Sequence, residues 1–407
     1  MIVEEIPFGD QSAPERHRYP PPGRPSFKTN TTPEKPKWDK SRAVKGKPTS
    51  HLRGNLRPDK KYVTTWNYGG MTNEVFVWMN AIHLGLISDR IPILFPLIGC
   101  EVQVGVGAET LSAGSFFDLP RLSEAIGHPV LDWQDVKKGR FDRAFHETDY
   151  SFHNDDELLG CWSVVQTFDD SKKPLNREGP HFLHLDVQYT AVPPTVKLNG
   201  TGTGWHTSFE GLSHLMSPAG RSDALSLEPP LPTFGKRPLP PMTPHPKPDD
   251  QLACFDNLYW VWSKVVWEWE QFPSPTWDAV GTHLHFTKEA DEIATMYLKT
   301  IFGLRDHQEV PPFVSIHVRH ADFKNLCPDP TNVKSCYAPI SEYARHVQEL
   351  TAELARNRGP NSPLSHVTEV IVMSDETDQE WWDEVDAMGW RQTRPYEDQI
   401  ARDYGRR

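Results

Sequence analysis

Ser315, His317 and Arg319 alternate with Val314, Ile316 and Val318 in the run from Phe313 to Phe323. At period two the polar set projects from one face of a strand while the apolar set packs on the other, so a His and an Arg, with Asp322 just beyond, arrive at a strand's carboxyl end. A planar guanidinium there can grip a phosphate through paired charge-assisted hydrogen bonds, or it can simply pair with a neighbouring carboxylate. A second candidate is Gly69-Gly70, followed by Asn73 and Glu74. If that turn joins a strand to a helix, backbone N–H groups and the helix dipole favour an anion; the bland alternative is that two glycines only ease the turn. His181 with His184, and His283 with His285, lack an acidic or Cys partner at ligand spacing and read as packing or surface histidines. The stretch Asn199 to Gly204 has no helix pattern after it and reads as a surface loop. No Asp-x-Asp triplet occurs, so a carboxylate-held divalent metal is not expected, nor is any resident cofactor.

The elements that would carry these residues alternate. Tyr62–Trp66 reads as a strand, Val75, Phe76, Met79, Ile82, Leu86 and Ile87 recur at helical spacing, and Ile91–Pro96 reads as the next strand. Further on, Leu119–Ile126 reads as a helix, and Gly160–Val165 and His181–Asp186 as strands. Phe255–Trp269 is expected to be a buried helix and Lys288–Ile301 an amphipathic one. After the opening strand come a helix from Ile340 to about Arg356, the strand Val367–Met373, and a helix from Asp378 to Met388 capped by Ser374–Thr377. Strands alternating with helices imply an α/β protein with mostly parallel sheets, whose ligands lie at the carboxyl ends of the strands. Arg319, Asp322 and Asp375 all fall on that edge.

A chain of 407 residues is long enough for two lobes. Residues 1–58 mix Pro, Lys, Arg, Ser and Thr without an apolar period and are expected to be a disordered arm. Residues 59–217 form the first lobe, the Pro-dense 218–250 an insertion or linker, and 251–407 the second lobe. Residues 1–61 hold 14 Lys and Arg against 7 Asp and Glu, leaving the remainder at −19 within a net charge of −12. Such an acidic body argues against a nucleic-acid surface. There is no transmembrane run of about 18 apolar residues, and the N-terminus lacks the regions of a signal peptide. Among five Cys, Cys327 and Cys336 bracket a short Pro/Asp/Asn loop that a disulfide can close. The sequons at Asn30 and Asn199 fit a secretory lumen.

Three stretches taken together resemble a known family: Tyr62–Pro96 with its Gly-Gly-x-x-Asn turn, His317-Val-Arg-His-Ala-Asp-Phe323, and Met373-Ser-Asp-Glu376. Their order and spacing are similar to the GDP-fucose protein O-fucosyltransferases, in the divergent form found in fungi. The resemblance implies a GT-B arrangement, two Rossmann-like lobes facing a cleft, with GDP-fucose as donor, inversion at the sugar, no metal, and a Ser or Thr hydroxyl of a protein as acceptor. It implies Arg319 as the diphosphate clamp, His317 and Asp322 as its supports or nucleotide contacts, and Asp375 facing the nucleoside. Gly69, Gly70 and Asn73 would approach the β-phosphate and sugar, and Glu74 would act as general base. It also implies a secretory lumen, in the endoplasmic reticulum or Golgi. The family's second Arg is His320 here, which makes one charge conditional on pH, and its Gln after the turn Asn is Glu74. The chain ends at Arg407, before the Ser/Thr-Phe motif that closes the family's nucleotide pocket, which points to a member truncated at both ends or a degenerate one. The competing expectations are a catalytically inactive scaffold that keeps the fold, and an enzyme for another GDP-sugar or a glycan acceptor.

Overall fold

The computed structural model describes residues 39–66, 70–97, 111–139, 156–164, 178–198, 206–227, 246–265, 268, 274–321, 323–329, 332–333, 336–359 and 361–404. Asn30, Asn199, Cys100 and most of the Pro-dense stretch fall outside them.

The first sheet is built around β1 (Tyr62–Thr65), whose four residues are all buried. A central strand of a parallel sheet is covered on both faces, which is why Tyr-Val-Thr-Thr suits it. From β1 the chain enters α2 (Met71–Ser88), following the short α1 (Leu52–Asn55), and returns as β2 (Ile91–Leu94), which pairs parallel to β1. Asp89 closes α2 in the left-handed region at φ 51°, and Trp78 of the helix donates from its indole to the Phe95 carbonyl at 3.0 Å. The helix α3 (Leu119–Ile126) has Asp118 as its N-cap and leads to β3 (Leu131–Asp132). The sheet then grows on its other side through β4 (Glu157–Ser163) and β5 (Leu185–Ala191). A short helix, α4 (Glu178–Phe182), precedes β5, so His181–Asp186 is not one strand: His181 belongs to the helix, and His184 turns the chain at φ 55°.

Three strands lie outside this sheet or enter it late. β6 (Thr207–Ser208) pairs with β8 (Val261–Trp262), and α5 (Phe209–Leu215) and α6 (Pro218–Leu227) follow β6. Pro218 opens α6, a place where a missing backbone N–H costs nothing, so the Pro-dense stretch does contain a helix. β7 (Leu252–Phe255) slots between β1 and β4, giving the six-stranded parallel order β3-β2-β1-β7-β4-β5. The first lobe therefore does not end at residue 217. Over its described part, Phe255–Val265, the stretch Phe255–Trp269 is likewise not a helix: Phe255 ends β7, a turn follows, and Val261 and Trp262 form β8. Cys161 and Cys254, lateral neighbours on β4 and β7, form a disulfide with a Cα separation of 4.8 Å.

Residues 39–58 belong to this core rather than to an arm. Ala43, Val44, Leu52 and Leu56 are buried in it, and the Tyr62 hydroxyl donates to the Ala43 carbonyl at 2.6 Å. The Glu157 carboxylate accepts from the Leu52 and Arg53 amides at 2.7 and 3.2 Å and meets the Lys137 ammonium at 3.3 Å.

The second sheet is smaller: β9 (Phe313–Val318), β10 (Glu369–Ser374) and β11 (Arg391–Gln392), parallel in the order β11-β10-β9. The helices α7 (Lys288–Phe302), α8 (Ile340–Arg358), α9 (Gln379–Ala387) and α10 (Arg394–Tyr404) accompany it. β10 is central and packs on both faces, with Val370 and Val372 joining Val318, Ile340, Trp382 and Val385, and Ile371 joining Ile301 and Phe302. Thr287 caps α7, and its amide also bonds the Phe116 carbonyl of the first lobe at 2.8 Å. Beside that bond Phe117 stacks on Phe286 at 5.3 Å. The α/β class with parallel sheets thus agrees with the alternation read from the sequence.

Candidate functional site

β9 has the expected alternation: Ser315 and His317 are exposed, while Val318 is buried. Its parallel register with β10 sets His317 beside Met373 and Val318 beside Ser374, so Arg319 and Asp375 are the next residues off the two adjacent strand ends. Asp375 ties them together. Its Oδ1 accepts from the His320 amide at 2.7 Å and the Ala321 amide at 3.2 Å. Arg319 is exposed, and its guanidinium lies over the Phe323 ring, 5.5 Å from the centroid. An exposed cation at the carboxyl edge of a parallel sheet stands where ligands of such sheets bind. Asp322 lies outside the described residues.

His320 is not a second exposed cation. Its side chain is 5% exposed and its Nδ1 sits 2.6 Å from Glu376 Oε2. The ring stacks flat on Tyr337, with centroids 3.9 Å apart, and meets Trp381 edge-on at 5.4 Å. Burial pushes the Glu376 carboxyl up, but the amides of Asp378 and Thr377 and the His320 ring donate to it and together hold it below the ordinary glutamate range. The charge conditional on pH is thus engaged by a carboxylate inside the lobe. Strand alternation explains this: with Val318 turned in and Arg319 out, His320 turns in again.

On the first sheet, Gly70 is the N-cap of α2 at φ −67° and ψ 157°, an extended conformation open to any residue. Gly70 itself supplies no side-chain cap. Met71, Thr72 and Asn73 of the first turn are exposed. Gly69 lies outside the described residues. Glu74, by contrast, is fully buried at 0% exposure. A carboxylate suits the first turn of a helix, but its burial removes it from an acceptor hydroxyl arriving from solvent. The order β3-β2-β1-β7-β4-β5 reverses direction at β1, so the crevice of this sheet opens at the carboxyl ends of β1, β7 and β4.

That edge holds a cluster which no sequence signal singled out. Asp256, directly after β7, is fully buried and accepts from the Ser163 hydroxyl at 2.6 Å and the Val164 amide at 2.7 Å. The Lys197 ammonium donates to the Val164 carbonyl at 3.0 Å. Burial pushes Lys197 down to about 8, against the pull of the Asp256 charge. His206 is lowered as well, by burial first and then by the positive charge of Lys197. Asp256 follows an apolar run and Lys197 a proline turn, and their meeting depends on β7 lying beside β4. A depressed lysine has a definite linkage sign. Between pH about 8 and 10.5 the unfolded chain binds a proton that the folded chain does not, so stability rises across this window. Melting temperatures measured from pH 7 to 10.5 are expected to shift in favour of wild type over Lys197→Met as pH rises; a flat difference would contradict the burial of this ammonium.

No protein-family model and no curated protein matches the chain. Among solved structures it is similar to the apo form of POFUT1, at 14% identity and a TM-score of 0.43, over 83% of this chain and 85% of that one. POFUT1 in complex with GDP-fucose is similar at 14% identity and a TM-score of 0.42, over 83% and 84%. POFUT1 in complex with GDP is similar at 14% identity and 0.42, over 84% and 87%. Likeness at this level transfers no residue role from those proteins to this one.

Proposed function

We propose that this chain is a glycosyltransferase that moves fucose from GDP-fucose to the hydroxyl of a Ser or Thr in a protein acceptor, inverting the anomeric carbon and needing no metal. One observation carries the reading: Arg319 stands exposed at the carboxyl end of β9, on a turn whose amides are fixed by Asp375, within the motif whose order and spacing resemble those of the O-fucosyltransferases. In such a transfer the acceptor oxygen bonds to the anomeric carbon as the bond from that carbon to the β-phosphate oxygen breaks, and the diphosphate leaves with the electron pair. The hydroxyl proton passes to water or to the departing diphosphate as the new bond forms. Charge grows on the diphosphate in the transition state, and a preorganised guanidinium stabilises it there. In this reading Arg319 performs that task, His317 and Asp322 support it, and the start of α2 with Gly69, Gly70 and Asn73 meets the phosphate and sugar. Asp375 acts through the backbone of His320 and Ala321.

The burial of Glu74 favours a second reading, a lobe pair that binds a GDP-sugar without transferring it, because no carboxylate at α2 then reaches the acceptor. The disulfides Cys161–Cys254 and Cys327–Cys336 support a secretory compartment, where such bonds persist. Among the described residues no helix is long and apolar enough to cross a membrane. Calorimetry with GDP, GDP-fucose and GDP-mannose, followed by transfer assays on protein and glycan acceptors, tests both readings. GDP-fucose binding with transfer supports the enzyme; binding without turnover on every acceptor supports the second reading; no binding of any GDP compound overturns both.

A further inference from the structure

Arg319 is itself exposed, and its neighbour His320 is held from several sides. His320 is held at its amide by Asp375, at its carbonyl by the Tyr337 hydroxyl at 2.7 Å and the Lys324 amide at 3.2 Å, and at its ring by Glu376 and the flat stack on Tyr337. Tyr337 touches both the ring and the carbonyl of one residue. It is also the residue after Cys336, which is bonded to Cys327 with a Cα separation of 5.7 Å. On the other side of that bond, Cys327 Sγ lies 3.7 Å from the carbonyl of Phe323, whose ring carries Arg319. One disulfide thus joins the residue that clamps His320 to the turn that supports the Arg319 guanidinium. Removing the bond frees two chain ends that a short loop otherwise keeps together.

From this geometry we infer that Tyr337, held by the Cys327–Cys336 bridge, is a positioning residue for Arg319, and that the bridge is part of the anion site rather than general scaffolding. This rests on the reading of Arg319 as the diphosphate clamp. Without Tyr337 or the bridge, the His320–Ala321 turn opens locally, and a guanidinium that must be ordered on binding grips a diphosphate more weakly.

The test reads two quantities that separate this inference from the functional reading. Amide hydrogen exchange at His320 and Ala321 reports the turn without any ligand, and calorimetry with GDP reports the clamp. In Tyr337→Leu and in the double variant Cys327→Ser/Cys336→Ser, exchange at these amides is expected to speed up by about tenfold or more, and GDP to bind about tenfold more weakly. Tyr337→Phe, which keeps the stack, is expected to recover most of the protection. If a variant fails to fold, mild reduction of the wild-type protein supplies the same comparison, since Cys336 is exposed while Cys161 and Cys254 are fully buried. Unchanged amide exchange in the folded variants, or faster exchange with unchanged GDP affinity, overturns the positioning role. A wild-type protein that binds no GDP overturns the functional reading and with it the anion-site role of the bridge, and faster exchange in the variants then shows only that Tyr337 orders the His320–Ala321 turn.

Discussion

Arg319→Ala is expected to lower the rate of fucose transfer, or the affinity for GDP-fucose if binding is all that occurs, by about 10²–10³-fold. Losing one preorganised donor to a developing oxyanion costs on that order, and a guanidinium supplies two parallel bonds plus a full charge. Arg319→Lys keeps the charge and loses the fork, so it should recover only part of the loss. Because Arg319 is exposed and its neighbour carries the packing, the melting temperature of the Ala variant should stay close to wild type, as surface substitutions change stability by less than about 0.5 kcal/mol. Transfer assays, GDP-fucose calorimetry and a melting curve on the same preparations check this. A variant that melts like wild type, transfers fucose at the wild-type rate and binds GDP-fucose equally well would remove Arg319 from the site.

Glu157→Ala should have the largest effect on stability. Glu157 and Lys137 are each about 5% exposed, and the carboxylate also satisfies the Leu52 and Arg53 amides, which no neighbouring turn can satisfy in their helix. Removing it takes the Glu157 charge from a buried ammonium and leaves two helix amides without their acceptor, which costs about 3–5 kcal/mol. The Lys137 ammonium keeps the His184 carbonyl at 3.1 Å, so the lower end of that range applies. Urea unfolding should show the midpoint falling. Replacing Glu157 and Lys137 together by apolar residues of similar size should recover much of the loss. A single variant within about 1 kcal/mol of wild type would show that the first lobe does not depend on this pair.

What was legible in the sequence follows the reach of each interaction. The β9 alternation, the α7 and α8 helices and the Cys327–Cys336 bridge depend on residues close in sequence, and each lies where the pattern placed it. Leu52–Leu56 gave no helical period because a four-residue helix has none; its burial depends on Glu157 and Lys137, far along the chain. His320 reads as a charge conditional on pH because it stands where the resembled family carries its second Arg. Glu376 and Tyr337, which define its surroundings, come from the end of β10 and from beyond the disulfide loop. Likewise Phe255–Trp269 was read as a helix because a buried aromatic run has no period that separates helix from strand.

The late arrival of β7 has a consequence for how the molecule assembles. β1 faces β7 across the middle of the first sheet, with Tyr62 opposite Leu252. The ribosome therefore releases β1 through β5 before the strand that joins their two halves exists, and until then β1 and β4 each present an open parallel edge. Non-local pairing of this kind slows folding and leaves sticky intermediates that chaperones must shield. Cys161 waits with them, its thiol unpaired until Cys254 is made 93 residues later.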